Sequence, residues 1–263
     1  MPVHNPSTFA ASRVARNAGL PCRRPFPGQA IRLWAPDMRE MAVRLRESIA
    51  RSLAAAFNSR EWARSPMPIG DASDPHSARG IVAQLGADAS ILLASSTHGN
   101  ETLASQPVLG CVLGGVLDEA LIAAYRLGPY GARCGDGLLA YIGVPPAFQG
   151  ERLSPIGGDR FERRSGTRNA PPDGEMVGLG SLLFSRWLDL PALRRCPTLF
   201  VRTRTTIKPI LHLLAKHGFD FRGRFELDFR GERQDRLVYA RHGEPGQRTR
   251  ESAARASELC CES

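Results

Sequence analysis

Lysine is almost absent from this chain: Lys208 and Lys216 are the only two among 35 basic residues, and the rest are arginine. With abundant alanine, glycine and proline, that skew has the look of GC-rich coding, and it weakens any reading of the formal charge of +9 as a nucleic-acid footprint. The arginines run from Arg13 to Arg250 without gathering on one element, so no specific nucleic acid is expected as a partner. A basic surface still favours the capture of polyanions in general. Long apolar runs are missing as well, and nothing approaches the roughly 20 residues of a membrane-spanning helix, so no membrane partner is expected. Cys22, Cys111, Cys134, Cys196, Cys260 and Cys261 form no Cys-x-x-Cys pair and no histidine cluster accompanies them, so no metal site is expected. No secretory signal is visible, which favours free thiols in a reducing, cytoplasmic setting. The first 36 residues lack any acid but carry Arg13, Arg16, Arg23, Arg24 and Arg32, faintly like a transit peptide; a plain N-terminal extension is the preferred reading.

What is present suffices for one sizeable core, since 42% of 263 residues are hydrophobic. Residues 1–29 show no sustained period and read as a disordered arm. Ala30–Trp34 alternates as a strand, and Met38, Met41, Leu45, Ile49 and Leu53 mark a helix from Pro36 to about Arg64. After the Pro/Gly/Ser/Asp-rich stretch Ser65–Ser77, a short helix runs to about Leu85. Ile91–Ala94 and Val108–Leu113 read as strands joined through the polar loop Ser95–Gln106. Asp118–Tyr125 is helical, and a glycine-rich excursion leads to the apolar strand Leu138–Val144. Leu190-Pro191 stops the helix that follows Gly178. Thr198–Arg202 is a strand. The next helix carries Ile207, Ile210, Leu211 and Leu214 on one face, with Pro209 in its first turn and Gly218 at its C-cap. Phe225–Phe229 and Leu237–Ala240 pair as a terminal hairpin, and 243–263 is a disordered tail.

The segment Leu138–Ser181 carries the chemistry. An apolar strand is stopped by Pro145-Pro146 and followed by Gln149-Gly150; after residues 152–177 comes Gly178-Leu179-Gly180-Ser181, opening the amphipathic run Leu182–Leu188. A strand, a glycine turn and a helix in that order aim backbone N–H groups at an anion. No Gly-x-x-x-x-Gly-Lys-Ser/Thr loop is present, and the third glycine of a dinucleotide fingerprint would fall at Leu183.

With residues 152–177 removed, the text Val-Pro-Pro-Ala-Phe-Gln-Gly-Glu-Gly-Leu-Gly-Ser-Leu-Leu resembles the acyl-CoA pyrophosphate loop of the GNAT superfamily of N-acetyltransferases. The order of elements over 30–242 and the strand–helix–Gly218-Phe219 close resemble the same family. The resemblance implies a single α/β (α+β) domain over 30–242, with a mixed, mostly antiparallel, splayed sheet and helices on both faces. It implies an N-acyltransferase that moves an acetyl or other short acyl group from acetyl-CoA (acyl-CoA) to a small-molecule or protein amine in a ternary complex. No metal is involved, and a homodimer is an allowed assembly. The pantetheine arm is implied to pair with Ile142, Gly143 and Val144, and the pyrophosphate to lie on Gln149, Gly150, Gly178, Leu179, Gly180 and Ser181. A backbone N–H near Val144 is implied to stabilise the oxyanion. Tyr141, as proton relay, and Glu119, beyond the third strand, are the candidate catalytic residues.

Two departures accompany the resemblance. The family's acid tyrosine falls at Leu214 and its early helix asparagine at Ile207, with His212 on the opposite side of that helix and His217 an exposed helix end. The insert Arg152–Val177 has five arginines, four acids, four glycines and three prolines, and is expected to stay out of the core, as a disordered excursion or an arginine-bearing lid. The alternative function is a catalytically weak scaffold that holds acyl-CoA or a partner.

Overall fold

The computed structural model describes residues 30–37, 39, 41–58, 66–86, 89–96, 106–150, 152–163, 177–204, 207–229 and 232–243. The expected arm 1–29, the turn at 97–105 and the tail from 244 lie outside them. Ten strands form one sheet: β1 (Ala30–Trp34), β2 (Ala89–Ser96), β3 (Val108–Val116), β4 (Gly137–Gly143), β5 (Arg152–Gly157), β6 (Arg160–Arg163), β7 (Val177–Gly178), β8 (Thr198–Arg204), β9 (Asp220–Phe229) and β10 (Glu232–His242). They lie in the order β7-β5-β6-β1-β2-β3-β4-β8-β10-β9. All pair antiparallel except β4 with β8, the one parallel pair among the described residues. This is a mixed α/β fold with a mostly antiparallel sheet.

Helices cover both faces. On one, α1 (Val43–Ala56) and α2 (Ala78–Ala83) bury Leu45, Ile49, Leu53 and Ile81 against Leu93 and Leu113. α1 begins later than its apolar stripe predicts, because the Asp37 carboxylate accepts from the Arg39 N–H at 2.8 Å, a local turn that competes with helix. α2 starts where Ser77 Oγ accepts from the Gly80 N–H at 2.9 Å. No side chain fits at Gly80, where a Cβ would lie 1.8 Å from the Asp74 carbonyl oxygen. α3 (Glu119–Tyr125), capped by Asp118 accepting from the Leu121 N–H at 2.7 Å, sits beside a further buried cluster of Leu117, Leu138, Phe200 and Val238. The opposite face carries α4 (Leu179–Leu188), α5 (Pro191–Arg194) and α6 (Lys208–Lys216), with Phe184, Trp187 and Leu214 fully buried. Pro191, expected only to stop the chain, opens α5 at a position where its missing N–H is harmless.

Glu47 of α1 ties α2 in place. Its carboxylate accepts from Arg79 Nε at 2.8 Å and Nη2 at 2.9 Å, and from Arg51 Nε at 2.9 Å. The Arg79 hydrogen bond is the largest cause holding its pKa down at about 2, from an ordinary 4.5. A lowered carboxylate pKa gives stability that is complete above the unfolded value and lost as pH falls through the folded one. Glu47 is 28% exposed, so screening limits the contribution to about 1 kcal/mol. Acid unfolding followed between pH 5 and 2 should therefore lose this increment, and Glu47→Gln should flatten that part of the curve.

The insert corrects its expectation. Residues 152–163 form the hairpin β5–β6, which extends the sheet along the outer edge of β1, with Phe161 opposite Ile31. Leu153 and Phe161 are 1% and 5% exposed and belong to the main core. The turn uses Gly157 and Gly158 at φ +132° and +56°, values other residues rarely adopt. The remainder of the insert, 164–176, lies outside the described residues.

Candidate active site

The parallel pair β4–β8 is joined only at one end. Gly137, Leu138 and Leu139 face Leu199, Phe200 and Val201, and beyond that the strands part. Asp136, 4% exposed, pins the closed end: its Oδ1 accepts from the Thr198 N–H at 3.1 Å and its Oδ2 from the Arg133 N–H at 2.8 Å. The register of β3 with β4 shifts between Leu113 and Gly114, opposite Tyr141 and Leu139, as in a bulge that leaves Ala140 extra. The strand therefore bends where the gap opens.

A cavity of about 1020 Å³ occupies the gap and reaches both faces of the sheet. On the α4 side it is lined by Ile142, Val144, Gln149, Gly150 and Gly178–Ser181, and by Ile207–Ile210 of α6. The insert does not separate the two glycine segments. β5 pairs with β7, setting Arg152 against Gly178 and Leu153 against Val177, so its ends meet and both segments reach one cavity. Gly178 is the N-cap of α4 and no side chain caps it, which leaves the first-turn N–H groups of Leu179, Gly180 and Ser181 without helical partners. A Cβ on Gly178 would meet nothing within 4 Å, and one on Gly180 only Val144 Cγ2 at 3.8 Å. These glycines keep a space open beside the helix end, and packing does not require them.

Gln149 contributes differently from expectation. Its backbone N–H donates to the Pro146 carbonyl at 3.3 Å and its side chain donates to the Val144 carbonyl at 2.8 Å. It therefore ties the end of β4, while Gly150, at φ +76°, turns the chain beside the helix N-terminus. Gly143 lies under α1, its Cβ position 3.1 Å from Ala56 Cβ, and does not line the cavity.

On the other face Tyr141 lines the cavity, its ring edge-on to Phe57 at 6.0 Å between centroids. Its hydroxyl shares a hydrogen bond with Tyr125 of α3, and burial raises the pKa of both phenols. Glu119 is exposed in the first turn of α3 and is not brought to the cavity. Leu214 is fully buried in the core, whereas His212, discounted from the helical wheel, lines the cavity. His217, expected to be exposed, is half-buried: its ring lies 5.0 Å from that of Phe184 and its Nε2 is 3.3 Å from Ser185 Oγ, and burial lowers its pKa.

Sequence reasoning missed Tyr125 and the arginines Arg202, Arg204 and Arg236, all of which line the cavity. Arg202 Nη1 donates to the Tyr125 carbonyl at 3.2 Å, and its Cζ stands 4.6 Å from that residue's ring centroid. The available signal was Arg202-Thr203-Arg204, a period-two pair of charges that directly follows the apolar run Leu199-Phe200-Val201 on one strand. Among the described residues no cluster of three potential metal ligands occurs, and no helix is long and apolar enough to cross a membrane.

No protein-family model and no curated protein matches the chain. Solved structures do. The GNAT-family acetyltransferase from Streptococcus pneumoniae is 14% identical, covering 81% of this chain and 99% of its own, with a TM-score of 0.47. Arabidopsis thaliana NAA60 in complex with a bisubstrate analogue is 13% identical over 81% and 99%, at 0.47. The NatC complex bound to Gag peptide and CoA is 13% identical over 81% and 98%, at 0.46. Among the solved structures that this chain resembles are ones described as acetyltransferases, some of them of the GNAT family.

Proposed function

We propose that the protein transfers an acetyl or other short acyl group from acyl-CoA to an amine. One observation carries the reading: an uncapped helix N-terminus with two dispensable-looking glycines opens into a cavity that passes between two splayed strands. The N–H groups of Leu179, Gly180 and Ser181, with Gly150 beside them, suit a pyrophosphate at the positive end of a helix. The parted segment of β4 around Ile142 and Val144 suits the pantetheine arm. Acyl-CoA, when bound, supplies the thioester carbonyl.

The chain's own residues account for the proton traffic. An alkylamine, with a pKa near about 10.4, arrives charged at neutral pH and must lose a proton before it reacts. Burial beside Arg202, Arg204 and Arg236 disfavours the ammonium form, while Asp228 and His76 at the cavity wall are groups that can accept its proton. Tyr141, with its pKa raised by burial, keeps its proton and acts as a donor. Calorimetry with acetyl-CoA should show micromolar binding, and thiol release with amines should follow. Tyr141→Phe should lower kcat by about 10-fold or more while the acetyl-CoA Kd stays constant. A buried leucine at 214, in place of an acid, favours a second reading as an acyl-CoA-binding protein. Binding without thiol release from any amine would select it.

A further inference from the structure

Three arginines converge at one end of the cavity, and strand pairing fixes them there. Arg204 of β8 and Arg236 of β10 stand directly opposite one another, and Arg202 shares their face two residues away. All three line the cavity, where Asp228 is the one acidic side chain among the described residues. Like charges directly opposite across an antiparallel pair are destabilising. Arg236 bears this out. Desolvation first, then Arg204 and Arg202, pull its pKa down to about 10. Its Nη2 donates to Gln234 Oε1 at 2.8 Å, but its buried Nε has no partner. Arg202 is held rigid over Tyr125. Facing guanidiniums with a buried unpaired donor are arranged for a planar or tetrahedral oxyanion. That anion is distinct from the one proposed at α4, because Arg202 packs on the face that carries α3, with Tyr125 and Phe225, whereas α4 covers the other face.

We propose that Arg202, Arg204 and Arg236 bind a carboxylate or phosphonate on the acceptor, which is therefore a small anionic amine of the α-amino acid or aminophosphonate kind. The proposal rests on the acyltransferase reading for the amine, while the anion site can be tested without it. In the full chain, acetate and methylphosphonate, each compared with chloride at matched ionic strength, should reveal the site. At least one should raise the melting temperature saturably in the parent and not in Arg236→Gln, and which one does so separates the two anions. No ion-specific rise in the parent, or an equal rise in the variant, overturns the proposal whether or not acetyl-CoA binds. In thiol-release assays, α-amino acids and aminomethylphosphonate should be compared with the matching α-amides and simple amines. Anionic acceptors should be preferred by about 10²-fold in kcat/KM. Arg236→Gln should erase that preference while retaining acetyl-CoA affinity, which reports an intact fold. Equal turnover of acids and amides would overturn the proposal and leave the acyltransferase reading standing. Failure of acetyl-CoA to bind would remove that reading and leave the ion titration to decide the anion site.

Discussion

Replacing Gly178 and Gly180 together with aspartate will weaken acetyl-CoA binding by about 10³-fold and leave the protein as stable as the parent. The two effects separate because the surroundings of the glycines are open. A Cβ at Gly178 meets nothing within 4 Å, and at Gly180 the nearest atom is 3.8 Å away. Aspartate at an N-cap and in the first turn also complements the helix dipole, worth about 0.3–1 kcal/mol each. The same carboxylates occupy the space in which a pyrophosphate would lie and repel it. Like charges near 4 Å at a protein surface cost about 4 kcal/mol, hence the predicted loss. Calorimetry and thermal melts on the pair of proteins check both halves. A variant that binds acetyl-CoA as the parent does would move the phosphate site away from α4, and a variant that unfolds would show that these glycines serve packing.

Trp187→Ala should destabilise the protein by about 3–5 kcal/mol, a large share of the stability of an ordinary domain. The indole is fully buried, its Nε1 donates to the Ser90 carbonyl at 3.4 Å, and its Cζ2 lies 2.5 Å from where a Cβ on Gly114 would be. It thus seats α4 directly on the β3 backbone at a residue with no side chain. Truncation leaves a cavity between helix and sheet that neither rigid surface can close. The urea midpoint should fall with an unchanged slope. Trp187→Phe, which keeps most of the volume, should lose less than half as much. Acetyl-CoA affinity should drop in Trp187→Ala, since the cradle is the N-terminus of the helix that this ring anchors. An unchanged midpoint would mean that α4 is held chiefly by Leu183 and Phe184.

The sequence by itself determined the elements whose apolar period is unambiguous. The amphipathic run with Leu182, Leu183, Phe184 and Trp187 and the short buried run Thr198–Arg202 each satisfy a local geometric condition; the helix forms over Leu179–Leu188 and the strand over Thr198–Arg204. The split glycine loop was legible for the same reason, because a strand, a tight turn and a helix start are all written in neighbouring residues. The 152–163 part of the insert departs from its expectation because composition masked its strands. Its charges and glycines masked the short segments around Leu153 and Phe161, which become core only because the edge of β1 lies free to receive them. Only the tertiary structure decided what surrounds the cavity. Tyr141 and Glu119 were both candidates along the chain, yet Tyr141 lies in the cavity wall with its ring against Phe57, while Glu119 faces solvent. Arg204 and Arg236 are 32 positions apart, and their confrontation exists solely in the β8–β10 register. Local periodicity reports a residue's own neighbours along a helix or strand. Which charges share a cavity depends on how strands from distant parts of the chain are ordered and paired, and that is settled by long-range packing.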